Sequence, residues 1–404
     1  MTGRNHGEVP PTAGLPLRLS DLLPGRHAQV VEILAQQLGT PPLLLTCSGT
    51  VALLLALKAL SSIAPDRRVV VVPAYTCPLV AIVVHSLGLE LRLCDSHAGH
   101  FDMDPHALAA ACDTRTLAVI PTHIGGLVAD VDAAVAAARA VGAWVIEDAA
   151  QALGARDHDA SVGLRGDVGF FSLSIGKGLS IYEGGLLVAR DAPMREALAR
   201  MAAETVPYSL PWELRRSVEL LGLAVLYRPG GLRLAYGWPL RRALRRGDPV
   251  VAVGDDFPRT IPLHQVGRWR QGVGARAAVR LPEFLAHGRR LAQARIARLR
   301  AIPRVHVFGA AAHTQGSWPF LLLSLPSAET CDAALGALWT KGLGVSRLFV
   351  HALPDYAYLA DRVPQVAMPN ARAFARRSLT ISNSPWLDDA GFAQICRTLE
   401  HVLR

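Results

Sequence analysis

Gly166-Asp-Val-Gly-Phe-Phe-Ser-Leu-Ser-Ile-Gly-Lys177, continued by Gly178-Leu-Ser-Ile-Tyr-Glu-Gly-Gly185, is the stretch on which the reading of this chain turns. Its lysine stands out because the basic side chains are nearly all arginine. Only Lys58, Lys177 and Lys341 are lysines, so a position that merely needs positive charge is given Arg. What Arg cannot do is lose its proton. An amine desolvated between glycines can deprotonate and condense with an aldehyde, and that is the Schiff-base chemistry of pyridoxal 5'-phosphate (PLP). Phe170 to Ser174 read as a short buried strand and Gly184 onward as the next, which puts Lys177 on a Gly-rich turn between two core strands. The other reading of the same residues is a solvent-exposed turn lysine.

Composition narrows the classes. A chain of 404 residues with 51% hydrophobic content can bury a large core, and two domains are expected. A formal charge of +9 suits anionic ligands such as phosphates or nucleotides, although an Arg-heavy chain also arises from composition bias with no partner implied. No nucleic-acid motif is present. The cysteines at 47, 77, 94, 112, 331 and 396 lack the paired spacing of a zinc site, so no metal is expected, and no signal peptide is visible. A reduced cytoplasm is the expected location. No apolar run approaches the ~20 residues that span a bilayer.

Working outward from Lys177, residues 1–14 read as a flexible arm and ordered structure begins near Leu17. His27 to Leu38 read as a helix and Leu43 to Thr46 as a buried strand. Cys47-Ser-Gly-Thr50 then turns into a helix from Val51 to Leu60, leaving backbone N–H groups at a helix N-terminus where a phosphate binds well; an ordinary Ser N-cap reads the same way. Short apolar strands follow at Arg68–Pro73, Leu89–Cys94, Leu117–Pro121, Ala143–Ile146, Val168–Ser172 and Leu186–Val188, with helices at Pro105–Ala111 and Val131–Val141 between them. That order predicts an α/β fold with a mainly parallel sheet, whose ligands bind at the carboxyl ends of the strands. Ser48 to Thr50, the Ala74–Cys77 loop, His123, Asp148 and Lys177 all fall just after strands.

Asp148, in Glu147-Asp-Ala-Ala-Gln151, is a carboxylate delivered by a hydrophobic strand. A buried acid there needs a cationic or hydrogen-bonding partner, and a pyridinium nitrogen is one; a helix-capping role is the alternative. Gln151, one turn on, faces the same side and is placed to donate to a ring hydroxyl or to serve as a plain helix residue.

Taken together, these residues resemble the DegT family of PLP-dependent sugar aminotransferases, in the fold-type I aminotransferase superfamily. The likeness runs from about Leu17 to the C-terminus. It rests on Ser48-Gly-Thr-Val-Ala-Leu, Val72-Pro-Ala-Tyr-Thr76, Glu147-Asp-Ala-Ala-Gln-Ala-Leu-Gly154 and the ordered set Gly166-Asp, Phe171-Ser, Lys177, Ser180 and Glu183-Gly-Gly. The resemblance implies Lys177 as the Schiff-base lysine and general base, Asp148 as the pyridinium partner, Gln151 as a ring-hydroxyl contact, and Ser172 with the Gly49-Thr50 turn as the phosphate site. It implies a large PLP-binding domain over 15–200, an atypical insert over 201–262, and a long helix with a small α+β C-terminal domain over 263–404. It also implies glutamate as amino donor, a nucleotide-linked keto-sugar as acceptor, and a homodimer. A non-sugar ketone or aldehyde acceptor, and a non-catalytic PLP-binding regulatory relative, are the alternatives.

Three departures from the family pattern matter. Cys77 stands where the family usually stacks an aromatic on the cofactor ring, and Tyr75 is the substitute considered. Tyr182 replaces the first glycine of the family's Gly-Glu-Gly-Gly. Ile261-Pro-Leu-His-Gln265 falls where the family carries a Gly-x-Asn-x-Arg segment that reaches the neighbouring subunit's phosphate, and it holds neither Asn nor Arg. His264, Arg268 and Arg270 are the candidate substitutes. Within the insert, Pro207 to Arg246 combines Trp212, Tyr227, Tyr236 and Trp238 with leucines and arginines; it reads as a lid or interface element, or as a peripheral membrane contact.

Overall fold

The computed structural model describes residues 7–23 and 29–404. The start of the helix expected at His27 lies outside them; the helix is seen from Val30 to Leu38 (α1) and stops at Gly39. Alternation then proceeds as β1 (Leu44–Thr46), α2 (Gly49–Ile63), β2 (Val69–Pro73), α3 (Pro78–Ser86), β3 (Glu90–Cys94), α4 (Pro105–Ala111), β4 (Thr116–Val119), α5 (Val131–Val141) and β5 (Trp144–Asp148). A short pair, β6 (Arg156–Asp157) and β7 (Ala160–Ser161), precedes β8 (Val168–Ser172) and β9 (Gly185–Ala189).

Seven of these strands form one sheet in the order β1-β9-β8-β5-β4-β2-β3. Pairing is parallel from β3 through β8, while β9 is antiparallel to both β8 and β1, so six strands point one way and β9 the other. Val69 to Val72 and Val168 to Ser172 are buried on both faces, as strands covered by helices on each side must be. Because β9 runs backwards, its first residue, Gly185, sits at the same sheet edge as the last residues of β1, β5 and β8. That edge collects the chemistry.

The 201–262 stretch is helical. After α6 (Ala192–Thr205) come α7 (Leu210–Leu226), α8 (Pro229–Leu232), a five-residue π turn, α9 (Trp238–Arg245) and α10 (Pro249–Val253). The long tract read as one helix from Arg268 to Arg300 is two, α11 (Arg268–Ala278) and α12 (Leu281–Arg300), because Pro282 cannot continue a helix and instead opens the second one. Beyond them β10 (His306–Val307), β11 (Thr314–Gln315), β12 (Phe320–Ser324), α13 (Ala328–Leu338), β13 (Val345–Ser346), α14 (Pro369–Arg377), β14 (Ser378–Ser382) and α15 (Asp389–Val402) complete the chain. Here β10, β12, β14 and β13 make an antiparallel sheet, while β11 joins β6 and β7.

Residues 7–14, expected within a flexible arm, are docked instead. Val9 bridges Leu343, Ala13 N donates to Pro319 O at 2.7 Å, and Gly14 bridges Gly178 beside the lysine. Glu8, Val9 and Ala13 are each no more than 6% exposed, so this Gly- and Pro-rich segment is held by backbone pairing and by burial of its few larger side chains.

Candidate active site

Gly49, Thr50, Cys77, Asp148, Gln151, Ser172 and Lys177 line a single cavity of about 380 Å³ at the carboxyl edge of the large sheet. That volume falls within the roughly 300–1,000 Å³ of small-molecule sites. Seven positions spread over 129 residues of sequence are therefore brought together by the strand order.

Each position has a local cause. Ser48 Oγ accepts from Val51 N at 3.1 Å and starts α2, leaving the first N–H groups of the helix, at Gly49 and Thr50, toward the cavity. A Cβ on Gly49 would lie 3.2 Å from Ser172 Cβ, so the close approach of α2 to the end of β8 requires glycine there. Ser172 Oγ lies 3.0 Å from Ser174 Oγ, and both serines face the cavity. Lys177 is carried on residues 173–184 between β8 and β9, flanked by Gly176 (φ 76°) and Gly178 (φ 81°), left-handed conformations that favour glycine.

The electrostatics follow from burial. Desolvation pushes the Lys177 amine below its ordinary value, against the opposing pull of Cys77, Asp148 and Asp255. Desolvation likewise raises the Asp148 carboxyl, against the Ala150 N–H bond and the Lys177 charge. Asp148 is only 4% exposed, and its Oδ1 accepts from Ala150 N at 3.0 Å, which leaves the other oxygen to the cavity. Gln151 Oε1 accepts from Gly125 N at 2.9 Å, so its amide NH₂ is the end left for an occupant. Burial raises the Cys77 thiol to about 12, which keeps it neutral and unreactive.

Other expectations are redirected. His123 does not reach the cavity: it is buried, Nδ1 accepts from Ala129 N at 3.0 Å, and Nε2–H therefore donates to Glu147 Oε2 at 3.0 Å. Glu147 also accepts from the backbone N–H groups of Gly163, Arg165 and Gly166, a structural knot that holds the turn before β8. Tyr75 does not lean over the site; its ring is fully buried against Phe349 and Phe374. Arg270, considered for the anion contact, is 0% exposed and aims at Glu213, with Nη2 2.7 Å from Oε2. His264 is buried with its ring stacked on Trp212 at 5.5 Å, and Arg268 faces solvent.

Several lining residues were not assigned to the site from the sequence. Phe257, Pro258, Thr260, Ile261 and Pro262 wall the cavity from the end of the insert, and Arg216 and Glu183 face into it. Asp255, buried under that wall, accepts from Tyr356 Oη at 2.6 Å and Val350 N at 3.0 Å, tying the insert to the segment between β13 and α14. Burial pushes its carboxyl up to about 6, with Tyr356, Val350 and Lys177 opposing.

Solved structures share this architecture. DesV of S. venezuelae superposes with a TM-score of 0.70 at 23% identity, covering 95% of this chain and 90% of that one. 3-Amino-5-hydroxybenzoic acid synthase gives 0.69 at 22% identity, with 93% and 89% covered. These are fold-type I neighbours. Among curated proteins, the chain is 40% identical over 152 residues to UDP-N-acetyl-3-dehydro-alpha-D-glucosamine 3-aminotransferase of Acidithiobacillus ferrooxidans, 37% of this chain and 41% of that one. It is 27% identical over 342 residues to dTDP-3-amino-3,4,6-trideoxy-alpha-D-glucose transaminase of Streptomyces venezuelae, 84% of this chain and 77% of that one. For other strong matches the chain spans 42% and 29% of the relative's length. Residues 23–209, which hold every cavity residue expected from the sequence, match the profile of the DegT/DnrJ/EryC1/StrS aminotransferase family. That match takes in 187 of the 404 residues, a little under half of the chain.

Proposed function

We propose that the protein is a PLP-dependent aminotransferase that moves an amino group from glutamate to a nucleotide-linked keto-sugar. The observation that carries the reading is the convergence of a desolvated lysine, a buried carboxylate with one open oxygen and a helix N-terminus on one cavity. The donor set suits PLP: an acid for a ring nitrogen, an amide for a ring hydroxyl, and serines with free helical N–H groups for a phosphate. Spr1654 from Streptococcus pneumoniae, solved in a PLP form, has the same fold at a TM-score of 0.73 and 18% identity. Two relatives bear names of nucleotide-sugar aminotransferases, which supports the acceptor class.

When bound, PLP supplies an aldehyde carbon that takes up an amine and a ring that accepts an electron pair. The chain's residues do the rest. Lys177 Nζ, which burial shifts toward its neutral form, accepts a proton from the carbon that bears the departing amino group and returns one on the way to the acceptor. Asp148 keeps a proton on the ring nitrogen, and Gln151 donates through Nε2 to the ring hydroxyl. Phe257, Pro258 and Ile261 exclude water from the mouth.

Purified protein is expected to be yellow, to lose that absorbance on borohydride treatment with the label at Lys177, and to bleach with glutamate or glutamine. Colour should return with a nucleotide-linked keto-sugar. Lys177→Ala should abolish turnover, by at least about a thousandfold from loss of the base and anchor. A Lys177→Ala protein that keeps the band and full turnover removes the reading; return of colour with simple ketones alone moves the acceptor to a non-sugar class.

A further inference from the structure

The anion end of the cavity lacks the cation expected there, since His264, Arg268 and Arg270 all point elsewhere. A different arginine is in place. Arg216, on α7 of the insert, lines the same cavity as Ser48, Gly49, Thr50, Ser172 and Ser174. Its position at that end follows from β9. Gly185 pairs with Thr46 of β1 and with Ser172 of β8, and a Cβ on it would lie 2.6 Å from Gly49 N. Glu183, two residues upstream, therefore sits beside the α2 turn, and Arg216 Nε lies 2.5 Å from Glu183 Oε2.

We propose that Arg216 is an intrachain ligand for the cofactor phosphate, standing in for the cation that related sites take from a neighbouring subunit; this rests on the PLP reading above. The guanidinium is held from three sides. Nη1 reaches Glu219 Oε2 at 2.6 Å, Nε faces Glu183, and the group lies 5.1 Å from the Trp212 ring centre and 5.6 Å from that of Tyr182. A planar guanidinium fixed through Nε and Nη1 in this way presents its Nη2 edge to a phosphate oxygen.

Tyr182 supplies a second, independent observation. It occupies φ 69°, a left-handed conformation that costs a non-glycine residue roughly 1–2 kcal/mol. The resemblance places glycine at this step, a residue that takes such a conformation without strain. A tyrosine kept there under strain places a ring face against Arg216, and strain of this kind gathers where a ligand must be gripped.

The test compares PLP with pyridoxal, which lacks the phosphate, in titrations of cofactor-free full-length protein followed by quenching of intrinsic tryptophan fluorescence. Arg216→Ala should weaken PLP by about tenfold or more, while pyridoxal changes by less than about twofold. Arg216→Lys should recover part of the loss. Tyr182→Gly, which relieves the backbone and cannot be harmful for want of φ freedom, should weaken PLP selectively while raising the melting temperature. PLP affinity within about twofold of wild type in Arg216→Ala overturns the proposal. So does an equal loss for pyridoxal, or a loss confined to glutamate, which would give Arg216 to the donor carboxylate. Failure of the PLP reading itself looks different: wild-type protein shows no saturable PLP binding and no borohydride label at Lys177.

Discussion

Burial moves the Asp148 carboxyl up and the Lys177 amine down, and each shift sets a pH window for the stability of the cofactor-free protein. Between the ordinary carboxyl value of 3.8 and its raised folded pKa, Asp148 binds more protons folded than unfolded, so stability falls as pH rises through that window and the full penalty stands above it. Asp148→Asn keeps an acceptor for Ala150 N–H and removes the penalty. It should stabilise the cofactor-free protein at pH 8, with the gain shrinking as pH falls toward 3.8, while PLP binding weakens sharply. Lys177 runs the other way: between its lowered pKa and 10.5 the unfolded chain binds more protons, so its penalty is present at neutral pH and is relieved as pH rises. Melting curves across pH, with and without PLP, separate these effects. An Asp148→Asn protein less stable than wild type at pH 8 would show the acid to be a stabilising partner of Lys177. Both residues were legible in the sequence because each sits on a turn just after an apolar strand. Arg216 was not, since one arginine among many gains meaning only when α7 folds onto Glu183.

The elements that build the cavity divide in the same way. Strands β1, β5 and β8 and the α2 turn announce themselves by short apolar runs ended by Ser, Gly or Asp, and their shared edge follows from parallel pairing. The insert does not, because α7 is fixed by long-range polar contacts. Glu213 on α7 meets Arg270 on α11 in a buried bidentate pair, and Arg270 Nη1 also donates to Glu183 O at 2.7 Å, bracing the residues just before β9. Removing one partner leaves a buried charge unpaired. Arg270→Met should therefore cost about 3–5 kcal/mol in urea unfolding, and Glu213→Leu added to it should restore much of the loss. If the double variant is as unstable as the single, the pair's value lies in the Glu183 carbonyl contact rather than in charge neutralisation. The docked residues 7–14 were missed for a related reason: backbone bridges at Val9 and Gly14 leave little trace in side-chain pattern.

Across the whole molecule, the outward face of α7 is the feature left to explain. Leu210, Leu214, Val218, Leu221 and Val225 follow one another at helical spacing and are all at least 44% exposed, while Glu213, Leu220 and Ala224 face inward. Leu234 and Trp238, further along the insert, are exposed as well. A stripe of this length on a monomer marks an interaction surface, and two occupants were expected from the sequence, a second copy or an anionic membrane. On α7 itself the charges beside the stripe are paired, Arg215 with Glu219 at 3.1 Å and Arg216 with both Glu183 and Glu219, which favours a second copy over an anionic surface. A twofold contact between α7 helices would also bury the back of the element that carries Arg216 and fix its position at the cavity. Sedimentation should show a dimer, and Leu214→Glu with Val218→Glu should weaken association by at least about thirtyfold, the equivalent of ~2 kcal/mol, without lowering the thermal stability of the isolated fold. Flotation with anionic liposomes at low salt should recover no protein. A wild-type monomer that co-floats, and that loses flotation in the same double variant, would give the stripe to a membrane surface instead.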